Sequence, residues 1–172
     1  MTSAQAQRKV GELHIAWRAL EHAVEFRAYA FPGATWPTGF PITPGSVLRA
    51  PLGRFALLHF APGRWLAPEP AEEAALLDSA VAAGTGTQTG VGGKWQAITL
   101  TGAQAPRALA ATIDLETVLS GRDCAAVRLF DCPGIVARTV EGFEVWALSS
   151  YATDLIQCLK RPILGKSALP VT

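Results

Sequence analysis

The chain has 172 residues, 49% of them hydrophobic, and its 15 Lys and Arg against 14 Asp and Glu leave a formal charge of +1. That length and hydrophobic content can bury a core, which excludes a disordered polypeptide, and without a clustered run of Lys or Arg the chain lacks the electrostatic footprint of a nucleic-acid binder. No run reaches the roughly 18 apolar residues of a membrane span, and the start, MTSAQAQRKVGELHIAW, has no apolar segment before a small-residue cleavage site, so a cytoplasmic protein is expected.

From the N-terminus, Val10, Leu13, Trp17 and Leu20 fall three or four apart, which predicts an amphipathic helix over Ser3 to His22. Val24 to Phe31 alternates and reads as a strand. Pro32 to Gly45 holds four prolines and three glycines and reads as an irregular connection, with Trp36 and Phe40 to press against a neighbour. Ser46 to Ala50 and Gly53 to Phe60 read as strands hinged at Pro51, and Arg64 to Ala67 as a third after the Pro62-Gly63 turn. A helix is expected from about Glu69 to Ala83, with Pro70, Glu69, Glu72 and Glu73 suited to its start, Ala74, Leu77 and Val81 facing the sheet and Gly84 as its stop. Thr85 to Gly93 is a polar strand or loop.

Lys94 to Thr101 alternates into a turn at Gly102 and is followed by an alanine-rich helix, on which Leu109 should be buried and Arg107 should face outward. Ala125 to Phe130, Ile135 to Val140 and Phe143 to Leu148, separated by turns at Asp131 to Gly134 and at Glu141-Gly142, read as an antiparallel meander. Ser149 or Ser150 then caps a helix on which Leu155, Ile156 and Leu159 share a face. The fold class expected is α+β: two small halves, 1–84 and 85–172, each of antiparallel strands with helices on one face.

Chemistry-bearing patterns are sparse. The glycine-rich Gly84 to Lys94 has Gln88 and Trp95 where a phosphate loop needs glycine and a hydroxyl, and Thr89 where a dinucleotide fingerprint needs its third glycine. His14, His22 and His59 are dispersed without metal-ligand spacing, and His59, inside an apolar strand, reads as a satisfied structural histidine. Asp114 with Glu116, and Glu141 with Glu144, read as solvated faces or turn residues. The three cysteines have no CxxC spacing; free thiols are expected, with Cys124 and Cys158 packed as small hydrophobes and Cys132 in a turn, open to oxidation. No catalytic, cofactor-binding or metal-ligating residue is therefore assigned.

The order TLTGAQAPRAL (Thr99 to Leu109), CPGIVARTV (Cys132 to Val140) and FEVWALSSYATDL (Phe143 to Leu155), with LLHFAPGRWL (Leu57 to Leu66) upstream, resembles the gamma subunit of heterotetrameric sarcosine oxidase. The likeness runs from about Pro41 to about Leu159. It implies a fold like that of the folate-binding aminomethyltransferases. It also implies a complex whose larger subunits hold FAD, FMN and NAD, oxidise a secondary or N-methylated amine, and pass the one-carbon unit to tetrahydrofolate. This chain would hold none of these and would serve assembly and stability. The aminomethyltransferases carry an Asp-Val-Ser segment where this chain has Thr89-Gly90-Val91, and a carboxylate after a Gly-Gly turn where this chain has Glu141-Gly142-Phe143. The Lys-Gly-Cys of the related iron–sulfur repair proteins is absent from the sequence. The alternative is a free-standing folate-fold enzyme or folate-binding protein.

Trp17, Trp95 and Trp146 fall in regular elements, where core burial accounts for them. Trp36, Arg64 and Trp65 stand in or beside Pro/Gly-rich connections, and interface centres are enriched in Trp and Arg, so these three are the candidate contacts with the flavin-bearing partners. The other possibility is that the two tryptophans cover the edge of their own domain.

Overall fold

The computed structural model describes residues 6–10, 12–29, 36–70 and 74–164. Its strands are Ala6–Val10 (β1), Leu13–Ala19 (β2), Val24–Ala28 (β3), Val47–Arg49 (β4), Phe55–Ala61 (β5) and Arg64–Ala67 (β6), followed by helix Ala74–Ala82 (α1) and strands Gly86–Gly90 (β7) and Trp95–Thr101 (β8). Helices Ala105–Ala110 (α2) and Leu115–Val118 (α3), strands Cys124–Leu129 (β9), Cys132–Arg138 (β10) and Gly142–Leu148 (β11), and helix Ser149–Leu164 (α4) complete the chain. All the pairings are antiparallel, in a six-stranded sheet ordered β1-β2-β8-β11-β10-β9 and a five-stranded sheet ordered β4-β5-β6-β3-β7. The molecule is thus α+β. The sheets do not follow a division of the chain near residue 84: β1 and β2 join the strands of the second half, and β7 returns to pair with β3.

The sheets stack face to face. One face of the six-stranded sheet lies under α2, α3 and α4, where Ile15, Ile98, Leu100, Val145, Leu155 and Leu159 join one buried cluster. Its other face meets the five-stranded sheet through Leu20, Phe55, Leu58, Leu66, Trp95 and Trp146, with the Phe55 and Trp146 rings edge to face at 5.0 Å. On the far side of the five-stranded sheet, Leu77 and Ala80 of α1 and the segment around Phe40 join Phe26, Leu57 and Trp65 in a third buried cluster.

The expected N-terminal helix is instead a hairpin, β1 against β2, with Ala6 opposite Trp17 and Val10 opposite Leu13; Ser3 to Gln5 and Gly11 lie outside the described residues. Leu13 and Ile15 are buried and His14 is exposed, a period of two. The spacing of apolar residues here fits a helix as well as a strand, and the choice is made by β8, which pairs with β2 and sets Ile15 opposite Leu100.

Helix α1 is shorter than the segment expected. Glu69 and Pro70 precede it, Glu72 and Glu73 lie outside the described residues, and the buried face is Leu77 with Ala80, while Ala74 is exposed. Gly84 stops it with φ +69°, the left-handed conformation in which glycine meets no steric penalty.

The helix after β8 has the predicted face, with Leu109 buried and Arg107 exposed. Asp114 is more than a turn residue: its carboxylate accepts from the backbone N–H groups of Glu116 and Thr117 and so caps the short α3, an element the sequence reading passed over. The meander β9-β10-β11 is as expected, but its first turn is Phe130-Asp131, both with positive φ, and not Asp131 to Gly134. A two-residue hairpin with both centres left-handed matches the twist of its strands, and Pro133 falls inside β10. Cys132 is therefore half-buried in a strand, as Cys158 is in its helix, while Cys124 is fully buried and its thiol is pushed up to about 12, by burial first and then by Asp123. Ser149 opens α4 without capping it. Its hydroxyl donates to the carbonyl of Gly93 at 2.6 Å, tying the helix start to the turn before β8.

Candidate functional site

β2 and β11 flank β8, with Arg18 opposite Ala97 and Glu144 opposite Thr99, so both side chains leave the same face of the six-stranded sheet, the face turned to the other sheet. Along β11, Val145 and Ala147 go to the helices while Trp146 goes to the layer between the sheets. Glu144 shares that side and is only 17% exposed.

Glu69, just beyond β6, closes a charged cluster with it. Its carboxylate accepts from Nη1 of Arg18 and from Nη1 of Arg54 at 3.2 Å, and Nη2 of Arg18 lies 4.0 Å from Oε1 of Glu144. Arg49, on β4, donates to the carbonyls of Gly53 and Arg138 and lies over the Phe55 ring at 4.4 Å. Burial pushes the Glu144 carboxyl up to about 7; Arg18 and Arg49 pull it down, and the neighbouring Glu69 adds to the rise. A carboxyl poised there can hold or release a proton near neutrality.

A second cluster centres on Glu25 of β3, which is buried. It accepts from Nε1 of Trp95 at 2.9 Å and from Nζ of Lys94 at 2.5 Å, with Nη2 of Arg64 at 3.7 Å. Burial works against its ionisation, but the hydrogen bonds from Lys94 and Trp95 and the charges of Lys94 and Arg64 outweigh it and hold the carboxyl below its usual range. Glu25 is thus a fixed anion and Glu144 a titrating one.

The three candidate contact residues do not share one surface. Trp65 is wholly buried, donates from Nε1 to the carbonyl of Pro41 at 2.8 Å and stacks on His59 at 4.0 Å, so it offers nothing to a partner; it is the centre of the outer core. Trp36 is half-buried against Phe40 at 4.7 Å and Trp65 at 5.1 Å, while the Arg64 side chain is 43% exposed and lies over Phe60. His59 is structural but not satisfied. The ring is fully buried, and neither nitrogen closes a hydrogen bond of normal geometry. Burial holds its pKa below the ordinary value although the carbonyls of Pro41, Thr43, Ala61 and Ile42 favour the charged form.

Glu144 is the group that the sequence reading missed by placing it on a solvated face. Its signal was there: FEVWAL alternates, and position 144 shares its side with Trp146, so a carboxylate in that strand had to face a buried layer. Glu69 carried no comparable signal, since its partner Arg18 is 51 residues away. The glycine-rich stretch is an edge strand, β7, paired along its length with β3 rather than looped around a phosphate. Among the described residues no group of three His, Cys, Asp or Glu is placed to hold a metal ion, and no helix is long and apolar enough to cross a membrane. A shallow concavity of about 690 Å³ between α2 and α3, lined by Arg107, Asp114 and Glu116 among others, touches neither charged cluster.

Set against known proteins, the sequence matches no family model and no curated protein. The fold does have a counterpart. A chain of the heterotetrameric sarcosine oxidase from Corynebacterium sp. U-96, solved in complex with pyrrole 2-carboxylate, superposes with a TM-score of 0.66 at 21% identity, over 94% of this chain and 90% of that one. At that identity the likeness is one of fold, and it extends over nearly the whole of both chains.

Proposed function

We propose that this chain is the gamma-type, non-catalytic subunit of a heterotetrameric amine oxidase resembling sarcosine oxidase. The observation that carries the reading is the near end-to-end correspondence with one chain of such a complex, at TM-score 0.66. In this reading the chain serves assembly and stability. Its larger partners hold FAD, FMN and NAD, oxidise a secondary or N-methylated amine and deliver the one-carbon unit to tetrahydrofolate. The strands and helices of this chain are occupied with its own three buried clusters, and the surface it offers includes the half-buried Trp36 and Arg64. Tyr29, 71% exposed, and Ile42, 47% exposed, add apolar area to the same half of the chain.

Purification of the tagged chain from its native host tests this. Co-elution with larger chains that carry flavin absorbance and oxidise an N-methylated amine is the expected result, with no flavin on the chain when it is purified alone. A lone monomer that binds folate would move the assignment to a free-standing folate protein.

A further inference from the structure

Glu69 touches both sheets. One of its oxygens takes Nη1 of Arg18, on β2 of the six-stranded sheet, and the other takes Nη1 of Arg54, which leads into β5 of the five-stranded sheet. Arg18 is in turn shared, because its second nitrogen lies 4.0 Å from the Glu144 carboxylate on β11. The charged groups facing Glu144 come from three elements: Arg18 from β2, Arg49 from β4 and Glu69 from the segment after β6. Arg49 is already engaged by two backbone carbonyls and the Phe55 ring, which leaves Arg18 as the cation that both carboxylates can use.

The geometry points to a proton-operated clamp between the two sheets: with Glu144 neutral, Arg18 is committed to Glu69 and the layers are tied together, and with Glu144 ionised, two carboxylates compete for one guanidinium and the Glu69 bridge loosens. The proton leaves to solvent, which reaches the partly exposed side chain. The partial burial that resists ionisation of Glu144 places the change near neutrality, where a difference of one pH unit redistributes the cluster. The part released is the segment 68–70, which leads towards α1, together with the turn at Arg54.

Hydrogen exchange on the full chain at about pH 6 and about pH 8, corrected for intrinsic rates, reads the clamp directly. In the wild type the amide of Ala50, which donates to the carbonyl of Arg54 across that turn, loses protection several-fold at the higher pH, whereas Glu144→Gln keeps it protected at both; Glu69 itself sits between Pro68 and Pro70, which carry no amide hydrogen. The same loss in wild type and Glu144→Gln overturns the proposal. Should Glu144→Gln fail to fold, carbon-13 titration of the Glu144 carboxyl in the wild type and in Glu69→Gln decides. A midpoint that falls when the Glu69 charge is removed supports the shared cluster, and an unchanged midpoint overturns it.

Discussion

Glu144 keeps its proton up to about pH 7, whereas a glutamate in the unfolded chain releases it near 4.5. Between those values the folded state binds a proton that the unfolded state has lost, so stability falls as pH rises through the window and levels off above it; the full effect is about 3 kcal/mol at ~1.4 kcal/mol per pH unit. His59 works in the opposite sense. Its buried ring refuses a proton that the unfolded chain accepts below about 6.5, so its contribution is lost on acidification. Glu144→Gln should therefore melt higher than the wild type above pH 7, and its remaining profile should rise with pH up to about 6.5, the His59 slope laid bare. Melting temperatures from about pH 5 to about pH 8 check this, and parallel curves for the two proteins would refute it. Both burials were legible, Glu144 from the alternation of its strand and His59 from the apolar run FALLHFA, which signals burial directly; the lack of a hydrogen bond to the His59 ring was not, since it depends on how the distant Pro41 to Thr43 segment wraps around it.

At the level of elements, strands bounded by strong punctuation were readable: β6 follows Pro62-Gly63, and β8 alternates into Gly102. The N-terminal hairpin was not, because Leu13 and Trp17 satisfy a period of two and a period near four alike, and what separates them is the pairing of β2 with β8. The first meander turn was misplaced for a related reason. Pro133-Gly134 is the stronger local turn signal, yet register against β9 and β11 draws both residues into β10, and the turn falls on Phe130-Asp131. Gly102 shows how tightly these strands are joined. It has φ +92°, and a Cβ there would run into the carbonyl of Glu12 at the head of β2. Gly102→Ala should cost at least about 1–3 kcal/mol from backbone strain alone, with the displaced hairpin adding to it. Gly90→Ala, where the backbone has no such constraint and nothing lies in the way, should leave the melting temperature unchanged or raise it slightly. Equal losses in the two variants would show that the junction of β2 and β8 is not the fragile point.

For the molecule as a whole, the proposed assembly predicts a difference between Trp36 and Trp65. Trp65→Ala removes a fully buried ring and its hydrogen bond to Pro41, and should lower the melting temperature of the isolated chain by an amount matching about 3–5 kcal/mol. Arg64→Ala, and to a smaller extent Trp36→Ala, should leave the chain folded and weaken co-purification with the flavin-bearing partners. A pull-down beside a thermal melt of each variant separates the cases: normal assembly by both surface variants would move the interface elsewhere. The strand exchange between the sheets bears on how the chain comes into being. The six-stranded sheet has β1 and β2 from the beginning of the chain beside strands from its end, and β7 leaves the second half to edge the first. Neither half owns a complete sheet, so a ribosome that has released only residues 1–84 has made a hairpin with no β8 to lean on and a β3 with one bare edge. The two pieces cut at residue 84 should be insoluble when produced separately and should recover the fold when produced together, as complementing fragments of a single cooperative unit.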